Sequence, residues 1–212
     1  MQTIRLEDGV EQAVKAAVDV LRRGGVIAFP TETTYGLGCD PRNQAAMGKI
    51  YRIKGRDTSK ALPLVTCDIN QVKKFFVVPE VIVVLAEKFW PGPLTVLLAP
   101  ADMMLRKAMP VFKDGMAAVR VSSNAFVQAL TSAYGFPLTA TSANLSGGKP
   151  CLSADEVVKI FETQEASYQP DLIIDGGELK PSEPSTIVKI DGEGKIEVVR
   201  QGAVSLTPPT PS

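Results

Sequence analysis

Residues 24–38, GGVIAFPTETTYGLG, decide how the chain is read. Gly24 and Gly25 stop the helix that precedes them, since glycine ends a helical run without Cβ strain. Val26–Phe29 is a short apolar run of buried-strand type. The hydroxyl-rich stretch that follows, PTETTYGLGC at 30–39, reads as a ligand-binding turn at the strand's end. A helix, a strand and a functional turn in that order form the repeating unit of an α/β protein.

Outward from this unit the pattern continues. Val10, Val14, Ala17, Val18 and Leu21 fall on one helical face before Gly24. Residues 43–54 and 79–89 read as helices, and 124–134 as another, with Ser123 as its cap. Ser153-Ala154-Asp155-Glu156 is a capping-box signature that opens a helix to about 163. Strands are expected at 62–66, at LTVLLA (94–99), at AAVRVS (117–122), at PLTATSA (137–143) and at DLIIDGG (171–177). STIVKI and KIEVVR form a closing hairpin through Asp191–Gly194. The expectation is an α/β fold on a mixed sheet, in one domain over 1–203, with the Pro-rich residues 204–212 a disordered tail.

Composition excludes several classes of function. Lysine plus arginine equals aspartate plus glutamate, 23 of each, so there is no bulk basic field for nucleic acid. The start, MQTIRLEDGVEQ, is charged early, and the most apolar run, VVPEVIVVLA at 77–86, is interrupted and too short to span a bilayer. Three widely spaced cysteines suggest neither a disulfide framework nor a CxxC site. The expected setting is cytoplasmic, without a membrane partner. The chain has no histidine, which removes the Ser-His-Asp triad and nearly every catalytic zinc arrangement. Any chemistry must then come from positioning, from charge and from a metal that a substrate brings.

The glycines do not form a standard nucleotide motif. Gly36-Leu37-Gly38 lacks the third glycine of the dinucleotide fingerprint, and the Gly48-Lys49 stretch has Asn43 where a P-loop has its first glycine. Other stretches carry the chemistry. KGRDTSK, 54–60, sets Lys54, Arg56 and Lys60 within seven residues, suited to a triphosphate or to a solvated helix end. TSANLSGGKP, 141–150, offers Ser142, Asn144 and free backbone amides to phosphate oxygens or Mg²⁺, although such a loop is also ordinary turn chemistry. Arg120 lies within an apolar strand and must face solvent or find an anion, from a ligand or, more commonly, from an internal carboxylate. The only tryptophan, Trp90, adjoins two prolines in FWPGPLT and reads as a plug under a rigid turn.

Taken in order, GGVIAFPTETTYGLG, IYRIKGRDTSKALPL, FWPGPLTVLL, AVRVSSN, PLTATSANLSG, PSTIV and VVRQGAV resemble the YrdC-like family of threonylcarbamoyl-AMP synthases, in its short single-domain form. The resemblance implies a twisted mixed α/β sheet with flanking helices around a large basic cavity. It also implies formation of L-threonylcarbamoyladenylate and pyrophosphate from L-threonine, bicarbonate and ATP with Mg²⁺. The product serves the N6-threonylcarbamoyl modification of adenosine 37 in tRNA, through a separate transferase. The family signature, lysine-x-arginine and serine-x-asparagine, falls on Lys54, Arg56, Ser142 and Asn144. The resemblance assigns these, with Lys60, Pro150 and Arg200, to ATP. It assigns Thr33, Thr34, Tyr35, Arg120, Ala140 and Ser185 to threonine.

Three positions depart from the family pattern. Ala61 and Val65 stand where relatives often carry proline and histidine, and Asp57 replaces a frequent proline. The alternative is a relative that keeps the cavity but binds RNA or the ribosome without adenylating threonine.

Overall fold

The structure is a computed structural model that describes residues 1–206. Its strands are β1 (Gln2–Arg5), β2 (Ile27–Pro30), β3 (Tyr35–Gly38), β4 (Leu64–Thr66), β5 (Leu94–Leu98), β6 (Ala117–Val121), β7 (Leu138–Thr139), β8 (Thr141–Ser142), β9 (Leu172–Asp175), β10 (Thr186–Ile190) and β11 (Ile196–Arg200). The helices are α1 (Val10–Arg22), α2 (Gln44–Lys54), α3 (Ile69–Phe75), α4 (Glu80–Phe89), α5 (Met103–Ala108), α6 (Ala125–Tyr134) and α7 (Ala154–Phe161).

The mixed α/β class is as expected, but the strands form two mixed sheets, not one. One sheet runs β1-β9-β2-β3-β8 and the other β11-β10-β5-β6-β4-β7. The division follows from local sequence. PLTATSA is not a single strand: Leu138–Thr139 pairs antiparallel with β4, and Thr141–Ser142 pairs antiparallel with β3. The chain changes sheet at Ala140. The stretch YGLG is likewise a strand and not part of the turn. It pairs antiparallel with β2, Pro30 opposite Tyr35 and Ile27 opposite Gly38, so the turn is confined to residues 31–34.

Helix ends follow capping chemistry. Asn43 Oδ1 accepts from the Ala46 amide at 3.0 Å and starts α2, and Gly55, in the left-handed region at φ 56°, ends it. Asn124, not Ser123, caps α6, accepting from the amides of Phe126 and Val127. Ser153 caps α7 as the box predicts, but Glu156 reaches back to the amide of Leu152 rather than to that of Ser153.

α1 buries Ala13, Ala17, Val18 and Leu21 against Phe126, Val127 and Leu130 of α6 and against Ile27 and Phe29 of β2, while Val10 remains exposed. A larger core joins both sheets through Leu37, Leu64, Val96, Val119, Ile173 and Phe161. Each such side chain contributes roughly 1.5–3 kcal/mol on burial, so the seam between the sheets is firmly packed. Val204, expected in the tail, is buried in this core, and its carbonyl accepts from the Thr186 hydroxyl at 2.7 Å. The rest of the expected tail, 207–212, lies outside the described residues. Among the described residues, no helix is long and apolar enough to cross a membrane.

β1, α3 and α5 were not read from the sequence. β1 is mostly exposed, α3 spans two turns, and α5 buries no residue. None of the three carries enough apolar periodicity to stand out.

Candidate active site

The exchange of sheets at Ala140 creates the site. The Ala140 amide donates to Pro63 O at 2.9 Å, beside the six-stranded sheet, and three residues later the Ala143 amide donates to Tyr35 O at 2.8 Å in the five-stranded sheet. The two sheets diverge there, and a cavity of about 490 Å³ opens between them. Of the residues assigned to threonine, Thr33, Thr34, Arg120, Ala140 and Ser185 line it. Of those assigned to ATP, Arg56, Ser142, Pro150 and Arg200 do so.

Three arginines give the cavity its basic character. Arg56 leaves the left-handed turn at Gly55, and its Nη2 donates to Ala61 O at 3.2 Å. Its Nε is buried with no hydrogen-bond partner among the described residues, a donor that a ligand could satisfy. Arg120 projects from β6, and its Nη1 lies 2.9 Å from Glu32 Oε1. The internal carboxylate considered for this arginine is therefore present, and Arg120 still lines the cavity. Arg200, at the end of β11, donates through Nη2 to Ser185 O at 2.7 Å and to Ser185 Oγ at 3.2 Å. Burial, and then the positive charge of Arg120, lower the pKa of Arg200. Both guanidiniums line the same cavity, where they could meet an anion.

Next to Arg120 lies a hydroxyl-rich turn, residues 31–34, whose Glu32 makes the ion pair with it. Thr31 Oγ1 donates to Thr34 O at 2.7 Å and accepts from the Thr33 amide at 3.2 Å, so the turn is fixed by its own side chain. The Thr34 hydroxyl, on the cavity wall, has no hydrogen bond to protein among the described residues. Leu64, Val65, Ala118 and Ile187 supply an apolar wall. Of the three departures from the family pattern, Ala61 and Val65 face this space and Asp57 does not line it.

Four assigned residues lie off the cavity wall. The Tyr35 side chain is fully buried, its hydroxyl donating to Gly177 O at 2.8 Å and accepting from the Gly176 amide at 2.9 Å. As a strand residue it alternates away from the ligand side. Its burial raises the phenol pKa to about 12. Lys54, 2% exposed, donates through Nζ to Ser142 O, to Asn144 O at 2.9 Å and to Asn144 Oδ1 at 3.2 Å. All three ammonium protons are thus engaged. Burial, and then the charge of Arg56, lower its pKa to about 8. Asn144 is equally occupied: Oδ1 also accepts from Ser142 Oγ at 2.5 Å, and Nδ2 donates to Leu145 O and Gly148 O. Lys60 is exposed on the loop beyond Arg56.

Sequence reasoning missed several residues in and around the cavity, of which three bear most on its chemistry. Thr31 and Thr95 line it, and Thr95 Oγ1 lies 2.8 Å from Ser185 Oγ. Glu32 supports Arg120 from behind. A glutamate among three threonines was the available signal, since a carboxylate there has to meet a cation or solvent. Among the described residues, no group of three or more His, Cys, Asp or Glu side chains gathers as a metal site.

Comparison with known proteins identifies relatives in sequence and in fold. The Sua5/YciO/YrdC family, described as "Telomere recombination", matches residues 19–202. The chain is 38% identical over 176 residues to the threonylcarbamoyl-AMP synthase of Shigella boydii serotype 4 (strain Sb227), covering 81% of this chain and 89% of that one. The enzyme of the same name from Escherichia coli O1:K1 / APEC is also 38% identical over 176 residues, with the same coverage. Among solved structures, P. abyssi Sua5 complexed with L-threonine superposes with a TM-score of 0.80 at 30% identity, over 95% of this chain and 57% of that one. The present chain thus spans little more than half of that longer protein. E. coli YciO superposes with a TM-score of 0.81 at 30% identity, over 97% and 96% of the two chains. With the family match running from α1 to beyond β11 and the two-sheet fold shared, the chain belongs to the Sua5/YciO/YrdC family.

Proposed function

We propose that this chain is an L-threonylcarbamoyladenylate synthase, which converts L-threonine, bicarbonate and MgATP into threonylcarbamoyl-AMP, pyrophosphate and water. The observation that carries the reading is the seam cavity, in which Arg56, Arg120 and Arg200 face a turn of hydroxyl side chains. Basic residues on one side suit a carboxylate and phosphates, and the turn suits a small polar amino acid. The relatives named threonylcarbamoyl-AMP synthase and the threonine complex of Sua5 support the same assignment.

The chemistry requires no protein nucleophile. Threonine's amine attacks CO₂ or bicarbonate to give an N-carboxylate, which attacks the α-phosphorus in line as pyrophosphate leaves. Both nucleophiles are carried by substrates, so the protein contributes proximity and charge stabilisation. Arg120 takes the threonine carboxylate, with Thr33, Thr34, the Ala140 backbone and Ser185 around it. Arg56 and Arg200 offset phosphate charge, with Ser142, Pro150 and Lys60 along the nucleotide path. Lys54 and Asn144 hold the 142–148 loop in shape and act through Ser142. Mg²⁺ enters with ATP. The product passes to a separate transferase for tRNA modification in the cytoplasm.

The test is direct. Protein, ATP, Mg²⁺ and bicarbonate are mixed with and without L-threonine, pyrophosphate is measured, and the adenylate is sought by mass spectrometry. Threonine-dependent pyrophosphate with the expected adenylate mass supports the reading. Equal pyrophosphate with and without threonine, or tRNA binding with no adenylate, overturns it.

A further inference from the structure

We infer that Glu32 is a positioning residue for the threonine carboxylate, holding the Arg120 guanidinium against the 31–34 turn across the seam between the two sheets. The inference rests on the threonine reading above. Its geometry is independent of that reading.

Glu32 belongs to the turn between β2 and β3, in the five-stranded sheet, and Arg120 to β6, in the six-stranded sheet. Their ion pair, 2.9 Å between Nη1 and Oε1, bridges the two, and the side chains are only 10% and 12% exposed. The second carboxylate oxygen accepts from Ser122 Oγ at 2.5 Å. Ser122 is fully buried, and its hydroxyl also accepts from the Asn124 amide, directly before α6. Among the described residues, Ser122 is the carboxylate's hydrogen-bond donor, and Glu32 Oε1 is buried with the Arg120 ion pair as its contact. It orients Arg120 by charge and contact and leaves most of the guanidinium donors unclaimed.

Charge balance gives the arrangement its purpose. Arg120 and Arg200 bring two positive charges to this side of the cavity, close enough for Arg120 to depress the pKa of Arg200. Glu32 cancels one of them. The charge that remains on this side is that of Arg200, which the proposed function gives to phosphate, so Arg120 meets the amino-acid carboxylate through directed donors. The same side chain fixes Arg120 relative to Thr33 and Thr34, the other wall of that pocket. Without the carboxylate, two unscreened guanidiniums repel, and Arg120 loses the contact that sets its direction.

The experiment compares wild type with Glu32→Gln, which keeps the length of the side chain and an acceptor for Ser122 but removes the charge. Steady-state pyrophosphate formation is measured with threonine varied at saturating ATP, and then with ATP varied at saturating threonine. The expected result is a rise of at least about tenfold in KM for threonine, the size of losing one charge-assisted contact, with KM for ATP within about twofold. Unchanged constants, or an equal rise for both substrates, overturn the inference. Should Glu32→Gln fail to fold, Ser122→Ala decides by the same split, since it frees the carboxylate without touching Arg120. Wild type that forms no pyrophosphate in response to threonine overturns the underlying reading and this inference with it. Active wild type with an unsplit variant overturns the inference alone.

Discussion

Lys54 Nζ lies 2.9 Å from Asn144 O and 3.2 Å from Asn144 Oδ1, so the outer members of the lysine-x-arginine and serine-x-asparagine signature bind each other. The inner members, Arg56 and Ser142, line the cavity. Within each pair, a two-residue step separates the cavity wall from the buried bracket behind it.

That bracket has a pH signature. The folded pKa of Lys54 is about 8, below its usual 10.5, so between these values the unfolded chain binds more protons than the folded one. Stability from this group therefore rises with pH across that window and is flat below it. The difference in unfolding free energy between wild type and Lys54→Met, measured by urea denaturation, should grow from pH 8 to 10 by up to about 1.4 kcal/mol per unit and stay constant below pH 7.

Arg56→Ala should lower threonine-dependent pyrophosphate formation by about 10²–10³-fold, as loss of a preorganised donor does elsewhere. Among the described residues, its only protein hydrogen bond from the guanidinium is to Ala61 O. Circular dichroism and melting temperature should therefore remain close to wild type. A folded variant with near-normal turnover removes Arg56 from the mechanism.

Thr34→Val should raise KM for threonine more than KM for ATP. The Thr34 hydroxyl lines the cavity and bonds to no protein group among the described residues, so the substitution leaves the turn held by Thr31. A parallel titration of each substrate separates the two constants, and an equal rise argues against a threonine contact.

Gly202→Ala should disturb the site from outside it. A Cβ at Gly202 would lie 2.1 Å from Pro184 O and 2.8 Å from Ser185 O, both backbone atoms that must move. Ser185 supports Arg200 and meets Thr95, so both KM values should rise. Overpacking of this kind costs about 1–3 kcal/mol, which a melting curve will register.

Much of this was legible in the sequence. The strands at β2, β5, β6, β9 and β10 announced themselves by branched apolar runs, and nine of the assigned site residues reach one cavity. What sequence could not show was direction. Tyr35 sits among three residues of the turn's polar cluster, but strand alternation sends its ring into the core. Lys54 and Arg56 look equivalent as cations, and only the left-handed turn at Gly55 separates their fates. The division of PLTATSA between two sheets depends on pairing partners far apart in the chain, Leu64 with Thr139 and Gly36 with Ser142, which no local window contains.

The change of sheet at Ala140 has a consequence for the protein's lifetime. A substrate seated in the seam, as proposed, would touch residues from both sheets and so act as a clasp between them. Ligand that binds only the folded form stabilises it by about 2.7 kcal/mol at a hundredfold excess over Kd. Threonine and ATP are thus expected to protect the chain from unfolding and proteolysis as well as to react on it. A cell short of threonine would carry the enzyme in its more fragile form.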